Sequence, residues 1–546
     1  MKTILTALLA ILLLVPARAS AETVLRIGLN DDPDALDPTI SRAYTGRLVF
    51  AALCDKLFDV TPDLKIVPQL ATGYEWAADR KSIVIKLHPG VRFQDGEPFN
   101  AEAVKFNIER HQNTPGSFRK SEIAEIQSVE VVNDLTVRFH LSQPLVPLLA
   151  ALTDRAGMMV SPQAAKTLGD KLGTQPVCAG PYKFVQRVAQ GKIVVEKVAD
   201  YWDKNAFSVD RIEFVPITDS SSRLASLRSG DLQMIERVSP TDLAEIRGDS
   251  KLKVTGVPEL GYQMIPLNVA NGPKSKALAD VRLRQALDLA IDRETLVKTV
   301  FGGEYIAGNQ FISPESPYYD KKVPVAKRDV AKAKQLLKDA GQPNLTFTLV
   351  VPPERDRQEA ALILQAMWAE AGITANLQTQ ENVTMLQSGR KGDFEAYFTF
   401  WSGRPDPDGN VYTFSTCKGA QNDMHYCNAD VDALLVKARQ VADPAERKKL
   451  YDQATEILVR DTPRLLLWRE RDTSVLGLVR YSKATRLRLC ALMRWVSSDM
   501  SGGWAKPPLR ATLPCSIWRS TASFVAAMSW DQCRARQALG TAAQSR

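Results

Sequence analysis

The sequence predicts an α/β protein of two to four domains. A helix over 329–341, closed by Gly341, precedes a strand over 345–351, a helix over 359–370 and a strand over 375–379. This alternation of strands and helices is typical of parallel strand pairing. The 546 residues are too many for one hydrophobic core, and 45% hydrophobic with 24% charged residues is the composition of a soluble globular protein.

The first residues are predicted to be an export signal rather than part of the fold. Lys2 supplies a positive charge, and residues 5–15 form an apolar run too short to be a good membrane span. Small residues at 19–21 make a cleavage site before Glu22, and no cysteine stands at a lipidation position. We therefore expect a signal peptide over 1–21 and an exported chain without a membrane span.

The net charge of +8 is unevenly distributed. Residues 477–546 hold eleven Lys and Arg against two Asp and Glu, and residues 1–21 add Lys2 and Arg18. Residues 22–476 are left with a charge of about −3, so a nucleic-acid-binding surface has no support.

Four of the seven cysteines, Cys54, Cys178, Cys417 and Cys427, lie outside this basic tail. An exported chain can keep disulfides, and we expect Cys417 to pair with Cys427 across a ten-residue loop. A bond between Cys54 and Cys178 is possible, but spacing alone does not establish it. Because Cys-X-X-Cys is absent, a redox or zinc site is not favoured.

Motifs of common enzymes are missing from the sequence. It has no G-x-S-x-G, no G-x-x-x-x-G-K-[ST], no H-E-x-x-H and no G-x-G-x-x-G. The four histidines, His88, His111, His140 and His425, stand at no metal-ligand spacing. The sequence thus predicts no catalytic residue, no cofactor and no metal ligand.

Several blocks resemble family 5 of the extracellular solute-binding proteins, the peptide and nickel receptors of ABC importers. They occur in family order at 70–76 with 85–102, 179–184, 281–293 and 432–435. The resemblance covers about 22–470 and implies a type II periplasmic binding protein fold, in which two lobes close on ligand by hinge motion beside an additional domain. It implies lobe I over 22–70, 180–270 and 465–476, the additional domain over 71–179 and lobe II over 271–464.

By this resemblance we expect a monomeric periplasmic receptor that binds short peptides, or a similar ammonium-bearing solute, and delivers them to a membrane permease. The same-class alternatives are receptors for a nickel chelate, haem or an oligosaccharide. A secreted hydrolase or a periplasmic chaperone on the same fold is the alternative of another class.

The candidate binding loop lies within 397–428, where an aromatic strand leads into Asp406-Pro407-Asp408. Proline restricts its own backbone and that of the preceding residue, so the loop is a rigid support for carboxylates beside aromatic surface. This combination suits a ligand with a positive charge and apolar bulk, although Asp, Pro and Gly also form ordinary solvated turns. In peptide-binding relatives an acidic residue of the loop matching 403–410 holds the ligand ammonium, which implies Asp406 first and Asp408 second.

Four further residues are candidates for ligand contact. The resemblance implies that an arginine before the helix over 359–370 meets a ligand carboxylate, with Arg357 nearest and Arg355 as the alternative. Trp401 and Tyr412 are candidate aromatic walls, and core packing is an equal alternative for both.

The tail over 477–546 has no period and few acidic residues. We expect a frameshifted or read-through translation, and the alternative is a basic extension that contacts lipid or a partner.

Overall fold

The computed structural model describes residues 22–61, 64–204, 206–207, 209–258, 260–270 and 276–477. The expected signal peptide and the tail beyond Gly477 lie outside these ranges. Within them, no helix is both long enough and apolar enough to cross a membrane.

Twenty strands are described within these ranges. They are β1 Val24–Leu29, β2 Phe58–Val60, β3 Ile66–Pro68, β4 Ala71–Trp76, β5 Ser82–Leu87, β6 Ile126–Asn133, β7 Thr136–Leu141, β8 Tyr182–Val188, β9 Lys192–Lys197, β10 Arg211–Pro216, β11 Met234–Glu236, β12 Leu252–Pro258, β13 Tyr262–Pro266, β14 Ile306–Ala307, β15 Thr346–Val351, β16 Thr374–Thr379, β17 Ala396–Tyr397, β18 Thr399–Trp401, β19 Arg464–Arg469 and β20 Arg471–Gly477.

The same ranges hold fourteen α-helices. They are α1 Tyr44–Leu53, α2 Ala101–Asn113, α3 Leu148–Ala151, α4 Pro162–Leu168, α5 Ser220–Ser229, α6 Leu243–Gly248, α7 Val281–Leu289, α8 Arg293–Phe301, α9 Val330–Asp339, α10 Arg355–Glu370, α11 Asn382–Arg390, α12 Asp408–Ser415, α13 Ala429–Gln440 and α14 Pro444–Asp461. Short 3₁₀ helices are Arg155–Gly157, Gly169–Gly173 and Pro240–Asp242.

Lobe I contains a seven-stranded mixed sheet in the order β12-β20-β11-β1-β10-β9-β8. Its strand β1 pairs in parallel with both β10 and β11. Alternate residues Leu25, Ile27 and Leu29 are buried in a core shared with α1, whose ten residues are all buried. The carboxyl end of β1 is therefore held firmly in the middle of this sheet.

The additional domain has an antiparallel sheet in the order β4-β5-β7-β6. Apolar residues of β5 and β7 share one buried core with Val104 and Ile108 of α2. The sequence favours Asn100 as the N-cap of this helix, since asparagine is a preferred residue there. The structure confirms the cap, because the Asn100 side chain accepts a hydrogen bond of 3.0 Å from the Ala103 backbone N–H.

Lobe II contains a three-stranded parallel sheet in the order β16-β15-β17. The pairing of β15 with β16 confirms the parallel arrangement predicted from the sequence. Helix α10 packs on this sheet through Leu364 and Trp368, but it begins at Arg355, four residues earlier than predicted. The block over 281–293 forms the whole of α7 and the first residue of α8, which Asp292 caps by accepting a hydrogen bond from the Thr295 backbone N–H.

The chain passes between the sheets of lobes I and II twice over short connections. Strands β13 and β19 pair with each other in the antiparallel sheet β14-β19-β13-β18, whereas β12 and β20 pair in the seven-stranded sheet. One connection joins Pro258 to Tyr262, and the other is the single residue Glu470. This pairing puts the two connections near 260 and 470, and the predicted bounds of lobes I and II stay a prediction.

Candidate functional site

Two adjoining cavities form a cleft between lobes I and II. Their empty volumes, which include space open to solvent, are about 650 Å³ and about 690 Å³. They share the lining residues Asn30, Glu354, Asn382, Thr399 and Phe400. Because Asn30 follows β1 in lobe I and the other four lie in lobe II, both lobes contribute to one continuous cleft.

The polar residues of the cleft lie after the carboxyl ends of parallel strands. Asn30 and Asp31 follow β1, Glu354 follows β15, and Asn382 follows β16. Open α/β sheets bind ligands at these ends, because the loops that leave parallel strands converge there. β15 and β16 were predicted as strands, and Arg355 and Arg357 were predicted as ligand contacts after β15, but Asn30, Asp31, Glu354 and Asn382 were not singled out from the sequence.

Two carboxylates from different lobes meet at one amide of the cleft. The Nδ2 atom of Asn382 donates to Glu354 at 2.7 Å and to Asp31 at 3.2 Å. Burial and the negative charge of Glu354 raise the pKa of Asp31 to about 6, against hydrogen bonds that lower it. Burial also raises the pKa of Glu354. A bound cation would stabilise both carboxylates in their charged forms.

Four residues that line the second cavity each have one buried side-chain atom without a hydrogen-bond partner among the described residues. These atoms are Asn30 Oδ1, Glu354 Oε2, Thr45 Oγ1 and Arg42 Nη1. Thr45 is only 2% exposed, so water in bulk does not reach its hydroxyl group. Buried polar groups in proteins are almost always satisfied, so these four atoms show that the wall behind the cavity is unusually polar.

Glu470, the crossover residue, is a strong acceptor in the wall of the first cavity. It accepts a hydrogen bond of 2.6 Å from Arg237 and one from Arg357, and Gln263 donates a third at 2.8 Å. Burial opposes its charge, but Arg357 and Arg237 lower the pKa of Glu470 overall. The Arg237 guanidinium also lies 4.4 Å from the ring of Phe400. These contacts tie the crossover to the cleft.

Both arginines predicted from the sequence line the first cavity, but each has a protein partner. The buried Arg357 lies in the first turn of α10, where it pairs with Glu470 and, at 3.1 Å, with Asp356. The Arg355 side chain is 73% exposed and pairs with Glu359 at 2.8 Å. Their contact with a ligand carboxylate stays a prediction.

The two predicted carboxylates, Asp406 and Asp408, line a third cavity that shares no lining residue with the cleft. Asp406 accepts two hydrogen bonds from Arg447, at 2.6 and 2.7 Å. Asp408 begins α12 and lies 3.1 Å from Arg439, and burial raises its pKa to about 6. Since each carboxylate already faces an arginine, their ammonium-binding role stays a prediction.

The two predicted aromatic walls lie in different cavities. Trp401 lines the second cavity, although it is largely buried, packs edge-on against Phe414 and donates to Asn410 at 2.9 Å. Tyr412 lines the third cavity with the Arg439 guanidinium 3.7 Å from its ring centre. Phe400, which was not among the predicted site residues, is the aromatic residue common to both cavities of the cleft.

Arg404 of the same loop was not singled out from the sequence. It is buried and pairs at 2.8 Å with Asp154 of the additional domain, which also pairs with Arg47 at 3.0 Å. Burial and the charges of Arg47 and Arg155 lower the pKa of Arg404 to about 9, against the attraction of Asp154. The loop therefore contains the buried Arg404 beside Asp406 and Asp408, and each of the two carboxylates is paired with an arginine.

Both cysteine pairs are joined in the structure. Cys417 bonds to Cys427 with a Cα separation of 4.4 Å, and Cys54 bonds to Cys178 with a Cα separation of 4.9 Å. The described residues contain no group of three or more His, Cys, Asp or Glu side chains arranged to hold a metal ion.

Residues 65–422 match the sequence profile of the bacterial extracellular solute-binding proteins, family 5 Middle. The glutathione-binding protein GsiB of Pectobacterium atrosepticum is 30% identical over 473 residues, which is 84% of this chain and 90% of that protein. The Salmonella typhi GsiB is also 30% identical, over 82% of this chain and 89% of its own length.

Solved structures agree with this match. The periplasmic binding protein DppA from Helicobacter pylori, in complex with the peptide STSA, has a TM-score of 0.78 and 26% identity over 83% of this chain and 94% of its own. The murein tripeptide binding protein MppA of Escherichia coli has a TM-score of 0.80 and 22% identity over 89% of this chain and 98% of its own. These likenesses confirm the α/β, two-lobed periplasmic-binding-protein fold with an additional domain.

Proposed function

This chain belongs to family 5 of the bacterial extracellular solute-binding proteins, and from that premise we propose that it captures short peptides for an ABC importer. It is a binding protein, not an enzyme. The ligand enters between lobes I and II, the lobes close on it by hinge motion, and the closed protein delivers it to a membrane permease.

One observation supports a polar ligand in particular. The wall of the second cavity carries charges of both signs, from Asp31, Glu354 and Arg42, beside the neutral polar side chains of Asn30, Thr45 and Asn382. An apolar ligand would remove these groups from water without replacing their hydrogen bonds, at a cost of about 1–3 kcal/mol for each group. A peptide supplies both donors and acceptors, and it removes this cost on binding.

Glutathione is the first peptide to test. The GsiB relatives are named glutathione-binding proteins, and the DppA structure contains the four-residue peptide STSA. Aromatic surface from Phe400 and Tyr44 beside the charged groups suits the apolar part of a peptide.

Isothermal titration calorimetry of the exported protein with glutathione tests the proposal. We expect one site per chain and a Kd in the micromolar range or tighter, and mass spectrometry should return the ligand intact. Fragments of the peptide would favour a hydrolase. Failure to bind glutathione or Ser-Thr-Ser-Ala, together with tight binding of a nickel–histidine chelate, would indicate that the protein is a nickel receptor instead.

We propose that the protein acts as a monomer in the periplasm. The expected signal peptide and the periplasmic binding proteins among its relatives support this location. Osmotic-shock fractionation should release the protein with the periplasmic contents, and light scattering should give the mass of one chain. Retention in the cytoplasmic fraction, or the mass of a dimer, would contradict these two expectations.

A further inference from the structure

The additional domain and lobe II contact each other outside the cleft. The backbone N–H of Val146 donates to the carbonyl oxygen of Arg439 at 2.7 Å, and the Nη2 atom of Arg439 donates to the carbonyl oxygen of Ser121 at 3.0 Å. The hydroxyl groups of Ser121 and Thr413 lie 3.4 Å apart. None of these four residues lines the first or the second cavity, so the contact is separate from the cleft.

An ion pair extends the same contact. Arg404, in the loop before α12, lies 2.8 Å from Asp154, which also pairs with Arg47 of lobe I at 3.0 Å. All three side chains are buried. Burial opposes the charge of Asp154, but Arg404 and Arg47 lower the pKa of this carboxyl group overall. Asp154 therefore holds one arginine from each lobe.

The additional domain is attached to lobe I. The chain leaves this domain directly into β8 of the seven-stranded sheet, and the disulfide between Cys54 and Cys178 joins it to the end of α1. The side chain of Gln94 donates to the carbonyl oxygens of Leu53 at 2.6 Å and Tyr182 at 2.7 Å. When the lobes rotate about the connections near 260 and 470, the additional domain should therefore move with lobe I.

The contact between the additional domain and lobe II is polar and incompletely packed. Apolar residues on its two sides belong to separate cores, with Leu148 and Leu152 in one core and Val411 and Leu435 in the other. The third cavity, whose empty volume of about 440 Å³ includes space open to solvent, is lined by residues of both sides. Interfaces between domains that move resemble those of transient complexes and are more polar than permanent ones. The two sides can therefore separate without exposing either core.

We infer that this contact is a closing interface, which forms when the lobes close and must break before they open. It is defined by Ser121, Val146 and Asp154 of the additional domain and by Arg404, Thr413 and Arg439 of lobe II. These are positioning residues, which stabilise the closed state without touching the ligand. The inference rests on the proposed peptide-binding function and gives the additional domain a part in retaining the ligand.

The closing interface should act on the release of ligand more than on its capture. The ligand enters an open cleft, in which the two sides of the interface are apart, so their contacts do not affect association. Release requires the closed protein to open, and each contact of the interface opposes this step. A weakened interface should therefore raise the dissociation rate and leave the association rate nearly unchanged.

A pair of cysteines reports whether the interface forms on closure. Ser121→Cys with Thr413→Cys replaces two hydroxyl groups that lie 3.4 Å apart, so a small movement allows a disulfide. We expect saturating Ser-Thr-Ser-Ala or S-methylglutathione, neither of which has a thiol group, to speed its oxidation at least fivefold. Mass spectrometry of proteolytic fragments identifies the bond. The control pair Ser128→Cys with His140→Cys joins neighbouring strands within the additional domain, and its rate should not depend on peptide.

Substitutions measure what the interface contributes to retention, in stopped-flow tryptophan fluorescence with the same peptides. Arg404→Gln should raise the dissociation rate at least tenfold and change the association rate less than threefold. Adding Asp154→Asn to this variant should change dissociation less than twofold further, because the two residues act as one pair. If Arg404→Gln fails to fold, Gln440→Ala, which removes a hydrogen bond to Gln143 beside the interface, should still raise dissociation about threefold. Glu196→Gln, in an exposed ion pair, should change neither rate.

Equal oxidation rates with and without a peptide that the protein binds would overturn the inference but leave the peptide-receptor function intact. Variants that slow association and leave dissociation unchanged would overturn it as well. Binding of neither Ser-Thr-Ser-Ala nor glutathione and its S-methyl derivative would instead refute the proposed function, and the inference with it.

Discussion

Asp406→Asn separates a structural role of the carboxylate from the ammonium-binding role predicted from the sequence. Asp406 accepts hydrogen bonds of 2.6 and 2.7 Å from Arg447, and the exposed fractions of the two side chains are 16% and 3%. Removing one partner of a buried ion pair costs about 3–5 kcal/mol, because the remaining charge stays buried without compensation. Asparagine keeps one oxygen acceptor, and Arg447 keeps bonds to Ala438 and Tyr451, so we expect a loss of about 3 kcal/mol.

Urea unfolding followed by circular dichroism measures this loss. The double variant Asp406→Asn, Arg447→Met should recover part of it, since removing both charges leaves neither one unpaired. Glu196→Gln is the matched control, because Glu196 and Lys183 form an ion pair with exposed side chains. Its unfolding free energy should change by less than about 1 kcal/mol.

Binding measurements on the folded Asp406→Asn variant decide between the two roles. We expect free-amino and N-acetylated peptides to keep the affinity ratio that they have for the unmodified protein. A variant of unchanged stability that loses affinity for the free-amino peptide alone would refute our reasoning. It would show instead that Asp406 holds the ligand ammonium, as the sequence predicts.

Three further expectations concern charge, crosslinks and packing. In calorimetry, affinity for a free-amino peptide should fall about tenfold between pH 7 and pH 5, because Asp31, whose pKa is raised to about 6, must lose its proton to bind an ammonium. Without ligand, the raised pKa of Asp31 favours the folded state at low pH, and this contribution to stability is lost as the pH rises from about 4 to 6. Replacing the Cys54–Cys178 pair by serines should destabilise the protein by about 5 kcal/mol in urea titrations, and replacing the Cys417–Cys427 pair should cost about 3 kcal/mol. The first disulfide restricts the unfolded chain more, because its cysteines are 124 residues apart and those of the second are 10 apart. Equal losses would contradict this argument. Gly180→Ala should lower stability by about 3 kcal/mol, since the added methyl group would lie 2.4 Å from backbone atoms of Leu53. Gly73→Ala is the control, because its methyl group would have no neighbour within 4 Å, and the temperature of thermal unfolding should change little.

Local sequence patterns predicted the elements well where neighbours in the chain decide the structure. The cap at Asn100 and the parallel strands after Gly341 follow from side chains and periods within a few residues. The end of α10 at Glu370 was also predicted, but its start at Arg355 was missed. The four residues before the predicted start, 355–358, form one more helical turn, and they are polar, so they have no apolar periodicity that would reveal it.

The binding cleft could not be found in the same way, because its charges are paired across long separations. Asp406 looked available in the sequence, but its partner Arg447 lies 41 residues later. Asp31 was not singled out from the sequence, but the fold places it beside Asn382, which is 351 residues away.

The sequence by itself therefore determined the family, the α/β fold and the chemistry of a polar, charged site. Only the tertiary structure decided which charges are already neutralised and which are directed into the cleft. The reason is physical: the free energy of a buried charge depends on its nearest opposite charge and on its distance from water, and folding sets both.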